Sequence, residues 1–194
     1  MISSKSNSEE VTVLVADDER DIADLYSTWM EGGYDVRTAY GAEEALAEAD
    51  EDVDVVFLDR QMPEMNGDKV LEILRKRDLE CRVVMVTAVD PDFDIVDMPF
   101  DDYLTKPVMR DDLAEAVDSM RERDDYDKTL QEYFALTSKK ATLEAEKTPS
   151  ELENSEEYQE MVDRVSELEE QADTAVADFD DDYDSLFQEF PGGE

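Results

Sequence analysis

The sequence predicts an α/β protein with a doubly wound parallel sheet, followed by a helical C-terminal part. Short apolar runs, typical of strands buried on both faces, alternate with segments of helical spacing as far as residue 120. This alternation predicts a parallel sheet with helices on both sides. A stretch without glycine or proline then extends from Pro107 to Pro149 and predicts further helix.

Five strands and four helices account for the first part of the chain. The strands are predicted at residues 11–16, 34–39, 53–59, 81–88 and 101–105. The helices are predicted at residues 21–30, 42–49, 67–77 and 110–120. Right-handed crossovers leave few topologies for such a chain. In an open sheet of this kind, a functional site is expected beyond the carboxyl ends of the strands.

The charge of the chain is strongly negative. It has 56 acidic and 18 basic residues, for a net charge of −38. This balance argues against direct binding to nucleic acid or to an anionic membrane, because both need Lys and Arg. It favours a solvent rich in salt, which screens self-repulsion. The apolar patterning argues against an acidic disordered chain, so we expect a cytoplasmic protein of a halophile.

Several further features of the sequence narrow the possible functions. The chain has no histidine and one cysteine, Cys81. Catalysis by Ser–His or Cys–His pairs is therefore excluded, as are histidine-based zinc sites and a histidine phosphocarrier. No apolar run reaches the ~18 residues that a membrane span needs. The first ten residues also lack the apolar core of a signal peptide.

Polar side chains follow four of the predicted strands. Asp17 and Asp18 come after the first, Asp59 ends the third, Thr87 ends the fourth and Lys106 follows the fifth. Each residue alone has a simpler interpretation, as a helix cap, a strand former or a solvated lysine. Because the carboxyl ends of parallel strands meet at one edge, we expect all of them to lie together.

This grouping favours phosphoryl transfer. Converging carboxylates and water make a site for Mg²⁺, which relieves the repulsion between them. A carboxylate such as Asp59 can act as the nucleophile and form an aspartyl phosphate. Lys106 would bind a phosphoryl oxygen as a point charge, and the Thr87 hydroxyl would donate to another.

The motifs that carry these residues resemble the receiver domain of two-component response regulators, including the chemotaxis regulators. They are VLVADDE with Asp17 and Asp18, FLDRQMPEMNG with Asp59, VTA with Thr87, and TKP with Lys106. The resemblance covers most of residues 11–122. It implies a flavodoxin-like sheet with strand order 2-1-3-4-5. It also implies that Asp59 accepts a phosphoryl group from a sensor histidine kinase.

The resemblance also implies a ligand set for Mg²⁺. Asp18, Asp59 and the backbone carbonyl of Gln61 would bind the ion directly, and Asp17 would act through water. The chain would then be a signalling protein and not an enzyme with its own substrate.

Further roles are implied for residues around this site. Tyr103 matches the aromatic residue that changes rotamer together with Thr87. The Lys106–Pro107 peptide bond is expected to be cis. Residues 63–67 match the loop that leads from the third strand into its helix.

One segment departs from the receiver pattern. Pro91 and Pro99 bracket the short connection between Thr87 and Lys106. Residues 92–98 leave room for about two helical turns, so a shortened fourth helix is expected. Because many receivers dimerise through that helix, their dimer is not expected to apply here.

The C-terminal part, YDKTLQEYFALTSKKATLEAEKTPSELENSEEY, resembles the HalX domain attached to haloarchaeal receivers. We expect a disordered tail at 1–10, helices over 123–180 and a flexible acidic tail at 181–194. The helix that begins at Arg110 is predicted to continue to Lys147, and Thr148 is predicted to cap the next one. A coiled-coil seam is predicted for that helix. Its residues are Tyr158, Met161, Val165, Leu168, Ala172, Ala175 and Phe179.

The role of the C-terminal part remains open at this stage. Its apolar stripes are explained by two antiparallel helices packed together, or by a homo-oligomer or a protein partner bound through a coiled coil. A phosphate sink with an inert tail, a DNA-binding transcription factor and an aspartyl-phosphate phosphohydrolase are the competing functions. Two features disfavour the phosphohydrolase: Asp59 lies at the end of the third strand, and the residue two positions later is Gln61. The negative charge disfavours DNA binding.

Overall fold

The structure, a computed structural model, describes residues 11–124 and 128–176. The segments 1–10 and 181–194, which were predicted to be disordered or flexible, lie outside the described residues. Five parallel strands form a sheet in the order β2-β1-β3-β4-β5, which confirms the expected strand order. The strands are β1 (Thr12–Ala16), β2 (Asp35–Ala39), β3 (Val55–Leu58), β4 (Arg82–Thr87) and β5 (Asp102–Thr105).

Helices cover both faces of the sheet, as predicted. They are α1 (Arg20–Met30), α2 (Ala42–Glu48), α3 (Gly67–Lys76) and α4 (Arg110–Asp124). Because successive strand residues point to opposite faces, Val13 packs with Leu113 of α4 while Leu14 packs with Leu74 of α3. Burial on both faces explains the nearly continuous apolar composition of the central strands. We call residues 11–124 the α/β part.

The connection between β4 and β5 holds a short 3-10 helix, Phe93–Asp97. The side chain of Asp92 accepts a hydrogen bond from the Phe93 amide at 2.9 Å and so caps its start. Ile95 is fully buried and anchors the segment to the core. The expectation of a shortened fourth helix is confirmed, and the sheet face beside β4 and β5 has little cover from this connection.

The C-terminal part contains α5 (Lys128–Glu146), α6 (Pro149–Asn154) and α7 (Glu156–Val176). The Tyr158 hydroxyl donates to Glu144 at 2.7 Å, and the Arg164 guanidinium donates to Glu132 at 2.8 and 3.0 Å. As α7 advances, its partners lie earlier in α5, so these two helices are antiparallel. None of the described helices combines the length and low polarity that crossing a membrane requires.

The prediction of one helix from Arg110 to Lys147 is wrong. α4 begins after the carboxyl end of β5 and packs along the sheet. α5 runs in the opposite direction. Its first residue, Lys128, lines a groove with Asp54, which precedes β3. Lys147, just after its last residue, pairs at 2.9 Å with Asp92, which follows β4. The two helices also contact opposite faces of the sheet, which one straight helix cannot do. Residues 125–127 lie outside the described residues.

The predicted helix start at Thr148 is confirmed, but the helix that follows is interrupted. Thr148 and Glu151 form a reciprocal capping box, with Pro149 as the first helical residue. Ser155 then leaves the helical conformation, with φ −91° and ψ 118°. Its hydroxyl accepts a hydrogen bond from the Tyr158 amide at 3.1 Å and so caps a second helix. The predicted seam therefore lies on α7 alone.

The C-terminal helices pack against β5 and the 3-10 helix Phe93–Asp97. Leu143 of α5 and Tyr158 and Met161 of α7 are buried in the same core cluster as Met85 and Ile95. Two of the predicted seam residues therefore contact the α/β part of their own chain. The seam residues Ala172, Ala175 and Phe179 have side chains outside the described residues.

A buried lysine lies at this contact. Lys139 of α5 is 5% exposed, and its ammonium donates to the carbonyl oxygens of Val96 at 2.9 Å and Met98 at 2.5 Å. The ammonium also lies 4.9 Å from the centroid of the Phe100 ring. Burial lowers the pKa of Lys139 to about 8, although the carboxylates of Asp101 and Asp97 act in the opposite direction.

The lowered pKa predicts a pH dependence of stability. Between pH about 8 and the ordinary lysine pKa of about 10.4, Lys139 binds more protons in the unfolded chain than in the folded chain. The free energy of unfolding should therefore rise with pH over this range. Lys139→Met removes this contribution. The difference in unfolding free energy between wild type and Lys139→Met, measured by denaturant titration, should therefore increase over this range.

Lys140→Met is the matched control, because Lys140 is partly exposed and pairs only at 3.5 Å with Glu144. Its difference from wild type should stay constant with pH. A constant difference for Lys139→Met as well would contradict the described burial of this ammonium.

Candidate functional site

Three charged residues lie immediately after three strands of the sheet. β1 and β3 are neighbours, whereas β4 separates β3 from β5. Asp17 follows β1, Asp59 follows β3 and Lys106 follows β5. The parallel register pairs Ala16 with Leu58, so the two aspartates leave the sheet at the same level. The amide of Asp59 donates to the Ala16 carbonyl at 2.9 Å, which continues the ladder one step beyond the strands. The sheet therefore positions both carboxylates.

The ammonium of Lys106 joins the two carboxylates. It donates to Asp17 Oδ2 at 2.6 Å and to Asp59 Oδ2 at 2.8 Å. The side chains are only 11%, 3% and 6% exposed for Lys106, Asp17 and Asp59, so little water screens these charges. Burial acts to lower the pKa of Lys106, but its two carboxylate partners outweigh this and raise it.

Backbone amides bind the second oxygen of each carboxylate. Asp17 Oδ1 accepts from the Glu19 amide at 2.9 Å, and Asp59 Oδ1 accepts from the Gln61 amide at 3.0 Å. Burial raises the pKa of Asp17, although the hydrogen bonds from Lys106 and Glu19 oppose this effect. Both carboxylates are thus held in one orientation, with two negative charges facing one ammonium.

Asp18 completes a group of three carboxylates. One oxygen from each of Asp17, Asp18 and Asp59 lies within 4.8 Å of the others. Asp18 is only half-buried and lines a cleft together with Gln61 and Asn66. Carboxylate oxygens beside a water-accessible cleft are the ligands that Mg²⁺ prefers. The residues present therefore fit a hard divalent cation, and the one ammonium leaves negative charge for it to neutralise.

Thr87 and Tyr103 both bind the residue Val89. Thr87 is fully buried, and its Oγ1 atom accepts a hydrogen bond from the Val89 amide at 3.3 Å. The Tyr103 hydroxyl donates to the Val89 carbonyl at 2.7 Å, and its ring packs 5.7 Å from that of Phe100. The two residues therefore contact the same turn after β4. The Lys106–Pro107 peptide bond is cis.

The loop after Asp59 returns closely onto itself. The Gly67 amide donates to the Arg60 carbonyl at 2.9 Å. A Cβ atom at Gly67 would lie 2.1 Å from the backbone oxygen of Asp59, so no larger residue fits without moving the loop. This close approach explains the glycine at the start of α3 and helps to position Asp59.

Arg60 is a residue of the site that was not predicted from the sequence. Its guanidinium is buried, donates to both carboxylate oxygens of Asp68 at 2.8 and 3.0 Å, and also pairs with Asp94 in the 3-10 helix. The hydrogen bonds with Asp68, ahead of those with Asp94 and Tyr103, raise the pKa of Arg60. The feature of the sequence that could have pointed to Arg60 was its position directly after Asp59.

Comparisons with known proteins identify the family of this chain. The model of the response regulator receiver domain matches residues 13–118. The chain belongs to the response regulator receiver domain family. The HalX domain model matches residues 122–187, so the receiver is followed by a HalX domain, as the sequence resemblance implied.

Several relatives of this response regulator are themselves regulators. A Haloferax volcanii protein, described as a candidate transcriptional regulator, is 49% identical over 144 residues, which are 74% of this chain and 25% of that protein. The alkaline phosphatase synthesis transcriptional regulatory protein PhoP of Bacillus subtilis is 42% identical over 100 residues, 49% of this chain and 42% of PhoP. The chain spans from a quarter to a half of the length of these relatives and of the regulator SaeR.

Solved receiver structures share the fold of this response regulator. The CheY-like receiver domain protein from Methanospirillum hungatei has a TM-score of 0.55 and 28% identity. The match covers 60% of this chain and 98% of that one. Together with the family match, it establishes two-component response regulation as the general role of the receiver.

Removing the ammonium of Lys106 should destabilise this receiver. Lys106→Met leaves the buried carboxylates of Asp17 and Asp59 facing each other, and breaking a buried pair in this way costs about 3–5 kcal/mol. The free energy of unfolding, measured by denaturant titration, should fall by about this amount. Added Mg²⁺ should restore part of the loss by neutralising the same carboxylates.

Lys76→Met is the control, since that side chain is 68% exposed and should change stability by less than about 0.5 kcal/mol. A loss for Lys106→Met as small as that of the control would contradict the described pairing.

Proposed function

We propose that Asp59 accepts a phosphoryl group from a phosphohistidine on a sensor histidine kinase. The observation that carries this proposal is the ammonium of Lys106, bonded to Asp17 and Asp59 beside the carboxylate of Asp18. The chain has no histidine, so the phosphohistidine must lie on another protein. An oxygen of Asp59 forms the new bond to phosphorus, and the bond from phosphorus to the histidine nitrogen breaks.

The proposal assigns Mg²⁺ to Asp18, Asp59 and the backbone carbonyl of Gln61, with Asp17 acting through water. Bound there, Mg²⁺ would neutralise charge on the incoming phosphoryl group. The three carboxylates and the adjoining cleft support this assignment. Lys106 then remains bonded to Asp17 and can bind a phosphoryl oxygen, since its ammonium has three donors.

Thr87 and Tyr103 would report the phosphorylated state. The Thr87 oxygen accepts a hydrogen bond from Val89, which leaves its own hydrogen available for a phosphoryl oxygen. As Thr87 turns toward the phosphoryl group, the turn at Val89 and the Tyr103 hydroxyl bonded to it would shift. The two states need to differ by only a few kcal/mol for such a switch to operate.

We further propose that the protein works in the cytoplasm of a halophile and does not bind nucleic acid directly. The support for this is the net charge of −38, which suits concentrated salt and opposes contact with phosphate backbones. The receiver would span residues 11–122 and the helical HalX-like domain residues 123–180.

Acetyl phosphate provides the test. In high salt with Mg²⁺, the full chain should gain one phosphoryl group by intact-mass measurement, and Asp59→Asn should gain none because an amide is not a nucleophile for this reaction. A chelator should abolish the uptake.

Asp52→Asn is the control, because that exposed residue lies near the opposite end of β3. It should take up phosphate as the wild type does. Undiminished uptake by Asp59→Asn would overturn the proposal.

A further inference from the structure

Arg60 lines the cleft that opens beside Asp18 and Gln61. The cleft has a volume of about 550 Å³, which is within the range of small-molecule sites. Two segments form its walls. The loop wall consists of residues 60–68, from the loop after β3 to the start of α3, and the turn wall is the turn after β4 that contains Val89. The distance between these walls decides which groups fit into the cleft.

Asp68 fixes the guanidinium of Arg60 to the loop wall. The Nε and Nη2 atoms of Arg60 donate to the two carboxylate oxygens of Asp68 at 2.8 and 3.0 Å. A bidentate pair of this kind fixes the plane of the guanidinium as well as its position. Because the Arg60 side chain is only 9% exposed, water weakens these bonds little.

The same guanidinium is also bonded to the β4–β5 side of the cleft. It pairs with Asp94 of the 3-10 helix, which the buried side chain of Ile95 anchors to the core. It also donates to the Tyr103 hydroxyl, which in turn donates to the Val89 carbonyl at 2.7 Å. Arg60 therefore connects the two walls of the cleft.

We propose that Arg60 is a positioning residue that sets the width of the cleft for the imidazole ring of the phosphohistidine donor. The inference rests on the proposed function, because it concerns the donor to Asp59. Pro63 on the loop wall and Val89 on the turn wall are apolar and not fully buried, so a flat ring between them would remove apolar surface from water. A ring between fixed walls is held in one orientation relative to Asp59.

The two kinds of donor differ in the group that leaves. An oxygen of Asp59 forms a bond to phosphorus, and the bond from phosphorus to the ring nitrogen breaks. The electron pair of the broken bond stays on that nitrogen, and the ring leaves as neutral imidazole because its other nitrogen carries a proton. With acetyl phosphate the leaving group is acetate, which has no ring to contact the walls. A wider cleft should therefore slow transfer from a phosphorylated imidazole more than transfer from acetyl phosphate.

The ratio of two uptake rates tests this inference. Uptake by the full chain from N-phosphoimidazole and from acetyl phosphate, in high salt with Mg²⁺, is followed by intact mass. Asp94→Asn breaks the pair across the cleft. Its ratio of the N-phosphoimidazole rate to the acetyl phosphate rate should fall on the order of tenfold, since the leaving group loses its orientation.

Arg60→Met removes both bonds between the walls and should lower the ratio at least as much. If Arg60→Met fails to fold, Asp94→Asn decides alone, because its side chain is 53% exposed and the substitution is mild.

Asp68→Asn is the matched control. It removes one carboxylate charge from the same guanidinium, but Asp68 lies on the loop wall, so the ratio should stay at the wild-type value. An unchanged ratio in Asp94→Asn, or equal falls in Asp94→Asn and Asp68→Asn, would overturn the role of Arg60, while uptake by the wild type would leave the proposed function standing. No uptake by the wild type from either donor would overturn the proposed function and this inference together.

Discussion

The ion pairs of Lys106 with Asp17 and Asp59 are the constraint on which the site depends. Two carboxylates buried this deeply repel each other unless a cation lies between them. The ammonium of Lys106 supplies that cation and donates a hydrogen bond to each. The neighbouring Asp18 adds a third carboxylate, so the same arrangement fits a divalent cation.

The sheet supplies the geometry that these charges need. Adjacent parallel strands end at one level, so residues far apart in sequence are brought together without any loop having to hold them. The central strands β1, β3 and β4 are buried on both faces, and the burial gives the site its low effective dielectric. The short β4–β5 connection, in turn, leaves a face that the HalX helices cover, so the C-terminal part belongs to the same structural unit.

Much of this arrangement was predictable, because it follows from local patterns. The apolar runs locate the strands, and the strand ends locate Asp17, Asp59, Thr87 and Lys106 at one edge, although the strand order itself came from the family resemblance. Pro91 and Pro99 indicate the shortened helix for the same reason: their effect on the backbone is local. The capping box at 148–151 is likewise a local signal.

The features that escaped prediction depend on tertiary contacts. Lys139 precedes another lysine, and only the packing of α5 on the receiver decides which of the two is buried. The reversal between α4 and α5 depends on which sheet face each helix covers, and no glycine or proline marks it. The role of Arg60 requires Asp94, which approaches only after the β4–β5 connection has folded.

We propose that the charge arrangement at the end of the sheet makes Asp59 the phosphoacceptor. Borohydride reduction of the acetyl-phosphate-treated chain tests it most directly, because it converts an aspartyl phosphate into homoserine, which peptide mapping can locate. We expect homoserine at position 59 and unmodified residues at Asp17 and Asp18. Homoserine at any other position, with Asp59 unchanged, would contradict it.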